Sequence, residues 1–189
     1  MTSILGATAT TTTTPLAVTV PPTSTEAATS VGTVVPAVPG PGVAVGDSVL
    51  EGVRLYAPDT LLSHGISFNT AVSRAWRAGE AIFTSWRASG RLPPIVVVAL
   101  GTNGPVLPAD FDAMMLAVAG ATRVVFMTVT GPEVANNAVI RAGVARYPQA
   151  ALADWAALAA SHPAWFARDG VHIGPAGAAA FGNLLAAAA

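Results

Sequence analysis

The sequence predicts an α/β domain, a three-layer α/β/α sandwich around a central parallel sheet of about five strands. Three observations lead there. First, 189 residues with 52% hydrophobic and 10% charged content can bury one sizeable core. Second, from residue 42 onward short apolar runs alternate with stretches of helical spacing, the order of a parallel sheet covered on both faces. Third, the runs "PPIVVVAL" (93–100) and "TRVVFMTVT" (122–130) are continuous and β-branched, as buried strands are.

Taken in order, "GVAVG" (42–46) reads as the first strand and "SVLEGVRLYA" as the helix that follows it. "GISFNTAV" (65–72) reads as a second strand. "SRAWRAGEAIFTSWRASG" has apolar spacing suited to a helix and stops at Gly90. The run at 93–100 is the clearest buried strand. "ADFDAMMLAVAG" is a helix with Asp110 near its start and Gly120 at its end. The run at 122–130 gives the next strand, "VANNAVIRAGVARY" a helix, and "AALADW" (150–155) a last strand. "GPAGAAAFGNLLAAAA" is a terminal helix starting after Pro175. In such sheets ligands sit beyond the carboxyl ends of the strands, so polar residues ending strands are where chemistry belongs.

Residues 1–41 differ from the rest. Thr10 to Thr14 is an unbroken threonine run, and Glu26 is the only charge in the segment. Such Thr/Pro/Ala-rich sequence stiffens toward polyproline II and reads as a linker or leader, with "PLAVTV" (15–20) a candidate edge strand. The folded domain is expected at 42–189.

Net charge is −1 and all nine basic residues are scattered arginines, which is not the footprint of a nucleic-acid binder. Cysteine is absent, which removes disulfides, thiolate catalysis and cysteine metal sites. Mean hydropathy is +0.57, yet no window holds the roughly 18–20 unbroken apolar residues of a spanning helix. "MTSILGATATTTTTPLAV" lacks a positive start and its apolar run is cut by threonines, so it is not a convincing signal peptide. No His/Asp/Glu cluster has metal spacing and no glycine-rich phosphate loop is present, so no cofactor and no metal are expected.

Three strand or loop ends carry unusual polar groups: Gly46-Asp47-Ser48, Gly101-Thr102-Asn103-Gly104, and "RDGVHIGP" (168–175). Taken singly each has a plain reading. Asp47 or Ser48 caps a helix, Asn-Gly makes a turn, and His172 is an exposed loop histidine. Taken together they suit acyl chemistry. A serine hydroxyl needs a base, and imidazole serves at neutral pH. Of the three histidines, His64 lies in a loop and His162 precedes a proline and is expected to cap or flank a helix. His172 has Asp169 three residues before it, with Gly170 between to let the loop bend. That carboxylate can fix the ring tautomer and leave Nε2 for Ser48. Donors for a developing oxyanion, worth about 3–4 kcal/mol each in a low-dielectric site, are the Ser48 backbone N–H, the Asn103 side-chain amide and a backbone N–H near Ser73. Gly101 and Gly104 allow close approach.

These residues resemble the SGNH (GDSL-type) hydrolase superfamily. Gly46-Asp47-Ser48 is similar to its first block, Gly101 to Gly104 to its third, and Asp169-Gly170-Val171-His172 to its fifth. A closer resemblance is to the SGNH domain of bacterial membrane O-acyltransferases of the peptidoglycan O-acetyltransferase type. "GTNG", "AVSRA", "DW" and "HPAWFARDGVHIGPAGAAAF" carry it. The resemblance implies a flavodoxin-like SGNH fold over 42–189, with Ser48 as nucleophile, His172 as base, Asp169 as its orienting acid and Asn103 as an oxyanion donor. It further implies an O-acyltransferase acting on a cell-wall or surface glycan, or an esterase of the same kind. The acceptor is then a glycan or water, and the place is the cell envelope. A non-catalytic glycan-binding module is the reading from another class. A monomer is expected, with no nucleic-acid partner. The membrane part that would deliver the acyl group lies outside this sequence, and the leader would be its tether or the start of a truncated gene. Two departures stand out: Ser73 occupies the place of the second block's usual glycine, and Ala75 stands where the closer group often has glutamine.

Other residues take plainer roles. Asp47 is expected to cap the helix, and Trp165 and Phe166 to anchor the Asp169–His172 loop. Arg74 reads as a solvated arginine at a helix start. Trp76, Phe83 and Trp86 should pack, and Asn136 and Asn137 should open a helix.

Overall fold

The computed structural model describes residues 41–189 together with Met1 and Thr2. Apart from those two, all lie in one unit of the chain, Val35–Ala189. The leader reading and its candidate edge strand concern residues 3–40 and so lie outside the described residues.

Five strands, β1 (Gly42–Gly46), β2 (Ile66–Thr70), β3 (Ile95–Ala99), β4 (Arg123–Met127) and β5 (Ala150–Ala153), make one parallel sheet in the order β2-β1-β3-β4-β5. The helices are α1 (Ser48–Tyr56), α2 (Asp59–Leu62), α3 (Trp76–Ala88), α4 (Pro108–Ala117), α5 (Asn136–Val144), α6 (Trp155–Ala159) and α7 (Pro175–Ala188), with a short 3-10 turn at Pro163–Trp165. The expected sandwich is present.

Strand side chains alternate between the two faces, and both faces are apolar because both are covered. Val43, Val45, Val96, Val98, Val124 and Phe126 pack beneath Trp76, Phe83 and Trp86 of α3, Phe111 of α4 and Ile140 of α5. On the opposite face Ala44, Val97, Ala99, Val125 and Met127 meet Leu50 of α1, Trp155 of α6 and Phe181 and Leu185 of α7. Removing one of these fully buried aromatic rings is expected to cost about 3–5 kcal/mol.

The order of the strands decides where a site forms. From β1 the chain moves outward to β2, then returns to the other side of β1 for β3. The crevice between the carboxyl ends of β1 and β3 is the topological switch point, where ligands bind in open α/β sheets. Gly46 pairs with Ala99 there.

Two boundaries near the strand ends differ from the sequence reading. The third helix begins at Trp76 and not at Ser73, because Ser73 holds a left-handed backbone, φ 58°, that no α-helix contains. Arg74 therefore precedes the helix. It is half-buried, and its guanidinium donates to the Gly46 carbonyl at 3.0 Å and the Asn69 carbonyl at 2.5 Å. It is a brace across the ends of β1 and β2, not a solvated arginine. The last strand stops at Ala153: Asp154 accepts from the Ala157 N–H and caps α6, which Trp155 begins.

Candidate active site

Ser48 occupies the first position of α1, immediately beyond β1. Gly46 is required for that arrangement, since a Cβ there would lie 2.5 Å from the Leu50 side chain and 2.8 Å from the Ala99 carbonyl oxygen. Asp47 caps the helix as expected, its Oδ1 accepting from the Val49 N–H at 3.0 Å. At the first helical position the Ser48 N–H has no intrahelical acceptor.

His172 reaches Ser48 from a loop 124 residues later. Its Nε2 lies 2.9 Å from Ser48 Oγ, and its Nδ1 lies 2.8 Å from Asp169 Oδ2. An ionised carboxylate only accepts, so Nδ1 carries the proton and Nε2 is left to accept from the serine hydroxyl. The other Asp169 oxygen accepts from the Val171 and His172 N–H groups at 2.9 and 3.0 Å. The His172 hydrogen bond, followed by those two backbone bonds, holds the Asp169 carboxyl down at about 2. Both side chains remain half open to solvent, His172 at 53% and Asp169 at 51%.

The loop is fastened at its base. Ala167 N–H donates to the His172 carbonyl at 2.7 Å, and Phe166 and Ile173 form an antiparallel bridge. Trp165 stacks on Trp155 at 5.6 Å between ring centroids, and the His162 ring stacks on Trp165 at 3.9 Å. Trp165 and Phe166 thus anchor the loop, as their spacing suggested. From β4 the chain adds a further contact: Gly131, at φ 82°, leaves so little room that a Cβ would lie 2.3 Å from Val171 Cγ2.

Asn103 and Gly101 lie at the end of β3. Gly101, at φ 120°, is buried, and its carbonyl accepts from the Asn136 side chain at 2.9 Å. Asn136 also donates to the Gly104 carbonyl at 3.0 Å and accepts from the Val106 N–H at 2.8 Å, so one buried amide shapes the whole turn. Its neighbour Asn137 holds both backbone groups of Val129. The pair does open α5, but their side chains serve the loops. Asn103 Nδ2 contacts Asp47 Oδ2 at 3.1 Å, Thr102 Oγ1 at 3.0 Å and the Arg74 carbonyl at 3.4 Å. Asp47 Oδ2 also accepts from the Thr102 hydroxyl at 2.5 Å. Burial pushes the Asp47 carboxyl above its usual value, against the bonds from Thr102, Val49 and Asn103 that pull it down.

Ser48, His172 and Asp169 therefore share one hydrogen-bonded chain. Asn103 belongs to a separate network centred on Asp47, the residue before Ser48, and Ser73 stands beside Arg74, whose carbonyl faces Asn103. His64 stands apart, before β2 on the loop from α2, against Ser63. Asn136, Asn137, Arg74 and Gly131 were not read as parts of the site. The Asn-Asn pair was the one available signal, because asparagine favours local side-chain to backbone bonds over helix interiors. Among the described residues no three His, Cys, Asp or Glu are placed to hold a metal ion, and no helix is long and apolar enough to cross a membrane.

No family model matches the chain. Over 145 residues, 76% of its length, it is 27% identical to the peptidoglycan O-acetyltransferase OatA of Listeria monocytogenes, and spans 23% of the length of that relative. Among solved structures it is similar to the C-terminal catalytic domain of the Streptococcus pneumoniae peptidoglycan O-acetyltransferase A with a methylsulfonyl adduct. That likeness has TM-score 0.66 and 25% identity, and covers 78% of this chain and 90% of that one. It also shares its fold with a putative SGNH hydrolase from Slackia heliotrinireducens, with TM-score 0.62, 16% identity and 78% and 97% of the two chains covered. A carbohydrate esterase family 3 protein from Talaromyces cellulolyticus shares the fold too, with TM-score 0.60, 16% identity and 77% and 94% covered. The resemblance to SGNH hydrolases, and to the peptidoglycan O-acetyltransferase type, extends from the sequence blocks to the fold.

Proposed function

We propose that this chain, whose fold and sequence blocks are those of the SGNH hydrolases, moves an acyl group through an ester on Ser48. The observation that carries the reading is the 2.9 Å contact between Ser48 Oγ and His172 Nε2, with Asp169 on the far ring nitrogen.

In the first half-reaction Ser48 Oγ attacks the acyl carbonyl carbon while its proton passes to His172 Nε2. The ring becomes an imidazolium, and Asp169 holds its orientation and offsets its charge. The carbonyl electrons collect on oxygen, which meets the Ser48 N–H, the Asn103 amide and the backbone near Ser73. Collapse breaks the bond to the leaving alkoxide, which takes the proton from His172. In the second half an acceptor hydroxyl gives its proton to His172 and attacks the acyl-serine, and Ser48 Oγ takes the proton back as it leaves.

The acceptor we favour is a hydroxyl of a cell-wall or surface glycan, with an acetyl group transferred in the cell envelope. Likeness to two peptidoglycan O-acetyltransferases supports this. A membrane acyltransferase domain outside this sequence would supply the acyl group, and the domain begins near Gly42 after its leader. Water is the second acceptor: half-open His172 and Asp169 leave the acyl-serine accessible to it, which is the esterase reading.

The test is p-nitrophenyl acetate turnover with and without chito-oligosaccharide. Turnover that rises with acceptor, with acetylated sugar found by mass spectrometry, supports transfer. Unchanged hydrolysis with no acetylated sugar supports the esterase. Full activity in Ser48→Ala overturns both.

A further inference from the structure

Asp47 has more to do than cap a helix. Its carboxylate is 0% exposed, and a buried carboxylate is costly unless it is fully hydrogen-bonded. Oδ1 takes the Val49 N–H. Oδ2 takes the Thr102 hydroxyl and the Asn103 amide, neither of which helix capping requires. The Arg74 guanidinium, half-buried at the ends of β1 and β2, interacts favourably with the Asp47 charge.

The amide of Asn103 has two hydrogens for three neighbouring acceptors. Asp47 Oδ2 and Thr102 Oγ1 are only 2.5 Å apart, so they lie on the same side of Nδ2 and share one N–H as a three-centre bond. The second N–H faces the Arg74 carbonyl across 3.4 Å, the longest of the three contacts. A bond that long gives up little when its hydrogen turns to a better acceptor. We infer that Asp47 is a positioning residue: it pins one N–H of Asn103 so that the other, parked on the Arg74 carbonyl, passes to the substrate's oxyanion as charge develops. The inference rests on the acyl-serine reading above.

Asp47→Asn separates this role from capping. Asparagine caps a helix as well as aspartate, but it has a single acceptor oxygen, so its own amide faces the Asn103 amide or the Val49 N–H. Hydrolysis of p-nitrophenyl acetate by Asp47→Asn, Asn103→Ala and the double variant is the test. Each single variant is expected to lower kcat by about 10²-fold, with KM little changed and melting within a few degrees of wild type. Because Asp47 acts through Asn103, Asp47→Asn should cost only a few-fold more in the Asn103→Ala background. Losses that multiply, or an Asp47→Asn kcat within threefold of wild type, overturn the inference. If Asp47→Asn does not fold, Asp47→Ser carries the same test, since serine caps the helix but is too short to reach Asn103. Ser48→Ala run alongside keeps the two ideas apart: if it retains turnover, the acyl-serine reading has failed. If it is dead while Asp47→Asn is fully active, only the role of Asp47 has failed.

Discussion

The two sides of the site are built differently. The side proposed to carry the nucleophile, Gly46-Asp47-Ser48, lies over the core: Asp47 is wholly buried, and a Cβ at Gly46 would collide with Leu50 and Ala99. The side proposed to carry the base, Asp169 to His172, is half open and held by its own loop hydrogen bonds and a stack of aromatic rings. One side takes its geometry from the fold, the other from a local turn fastened to it. Substitutions on the base side should therefore change rate with little change in stability, whereas a side chain added at Gly46 should lower the two together.

The sharpest check of that contrast is His172→Ala. It is expected to lower kcat by on the order of 10⁴–10⁶-fold while melting stays within a few degrees, as circular dichroism would show. A large drop in melting temperature would place His172 in the stabilising core and break the comparison. Next comes Asp169→Asn, which loses the acceptor that fixes the ring tautomer. A fall in kcat of about 10²–10⁴-fold with an intact fold is expected; full activity would remove Asp169 from the relay.

Gly131→Ala tests the fastening itself. The added methyl meets Val171 in a left-handed backbone, so the loop must shift. A displacement of about 1 Å at the reacting groups costs up to about 10²-fold in rate, and Val171→Ala in the same chain should restore part of it. No effect of Gly131→Ala on rate would mean that the loop keeps its place without this contact.

A smaller effect concerns acid. The Asp169 carboxyl is lowered to about 2 from an ordinary 3.8, so its hold on the loop is complete above 3.8 and is lost as pH falls through about 2. The Val171 and His172 amide protons should keep their bonded NMR shifts at pH 4 and lose them near pH 2. Loss already at pH 4 would contradict this. Smallest is Ser73→Gly, which removes the left-handed strain of a residue with a Cβ. A gain of about 1 kcal/mol is expected in denaturant unfolding, and destabilisation would show that the Ser73 side chain has contacts worth more than the strain.

The contrast also explains what the sequence made legible. Alternation of apolar runs with helical spacing suffices for a parallel sheet, because both faces of every strand are buried and β-branched residues mark them. Ser48, His172, Asp169 and Asn103 could be singled out because each is a polar group at the end of an apolar run or in a glycine-flanked loop. Arg74, Asn136 and Asn137 could not, since their roles depend on carbonyls brought near by folding: Gly46 is 28 residues from Arg74, and Gly101 is 35 from Asn136. The Asp154-Trp155 boundary was misread because Trp155 continues an apolar run, while the capping bond that ends β5 involves Ala157 further on. Ser73 was read as a helix start for a similar reason. Its composition suits one, and its left-handed backbone is set by the turn between β2 and α3.

The central claim is that the Ser48 hydroxyl is activated by the imidazole against it. Labelling with phenylmethylsulfonyl fluoride tests this without an assumed substrate: the S–F bond breaks, an Oγ–S bond forms and HF leaves. Peptide mass spectrometry of the treated protein should find one sulfonyl group, on Ser48, with labelling all but lost in His172→Ala. An unlabelled Ser48, or equal labelling with and without the imidazole, would contradict the account.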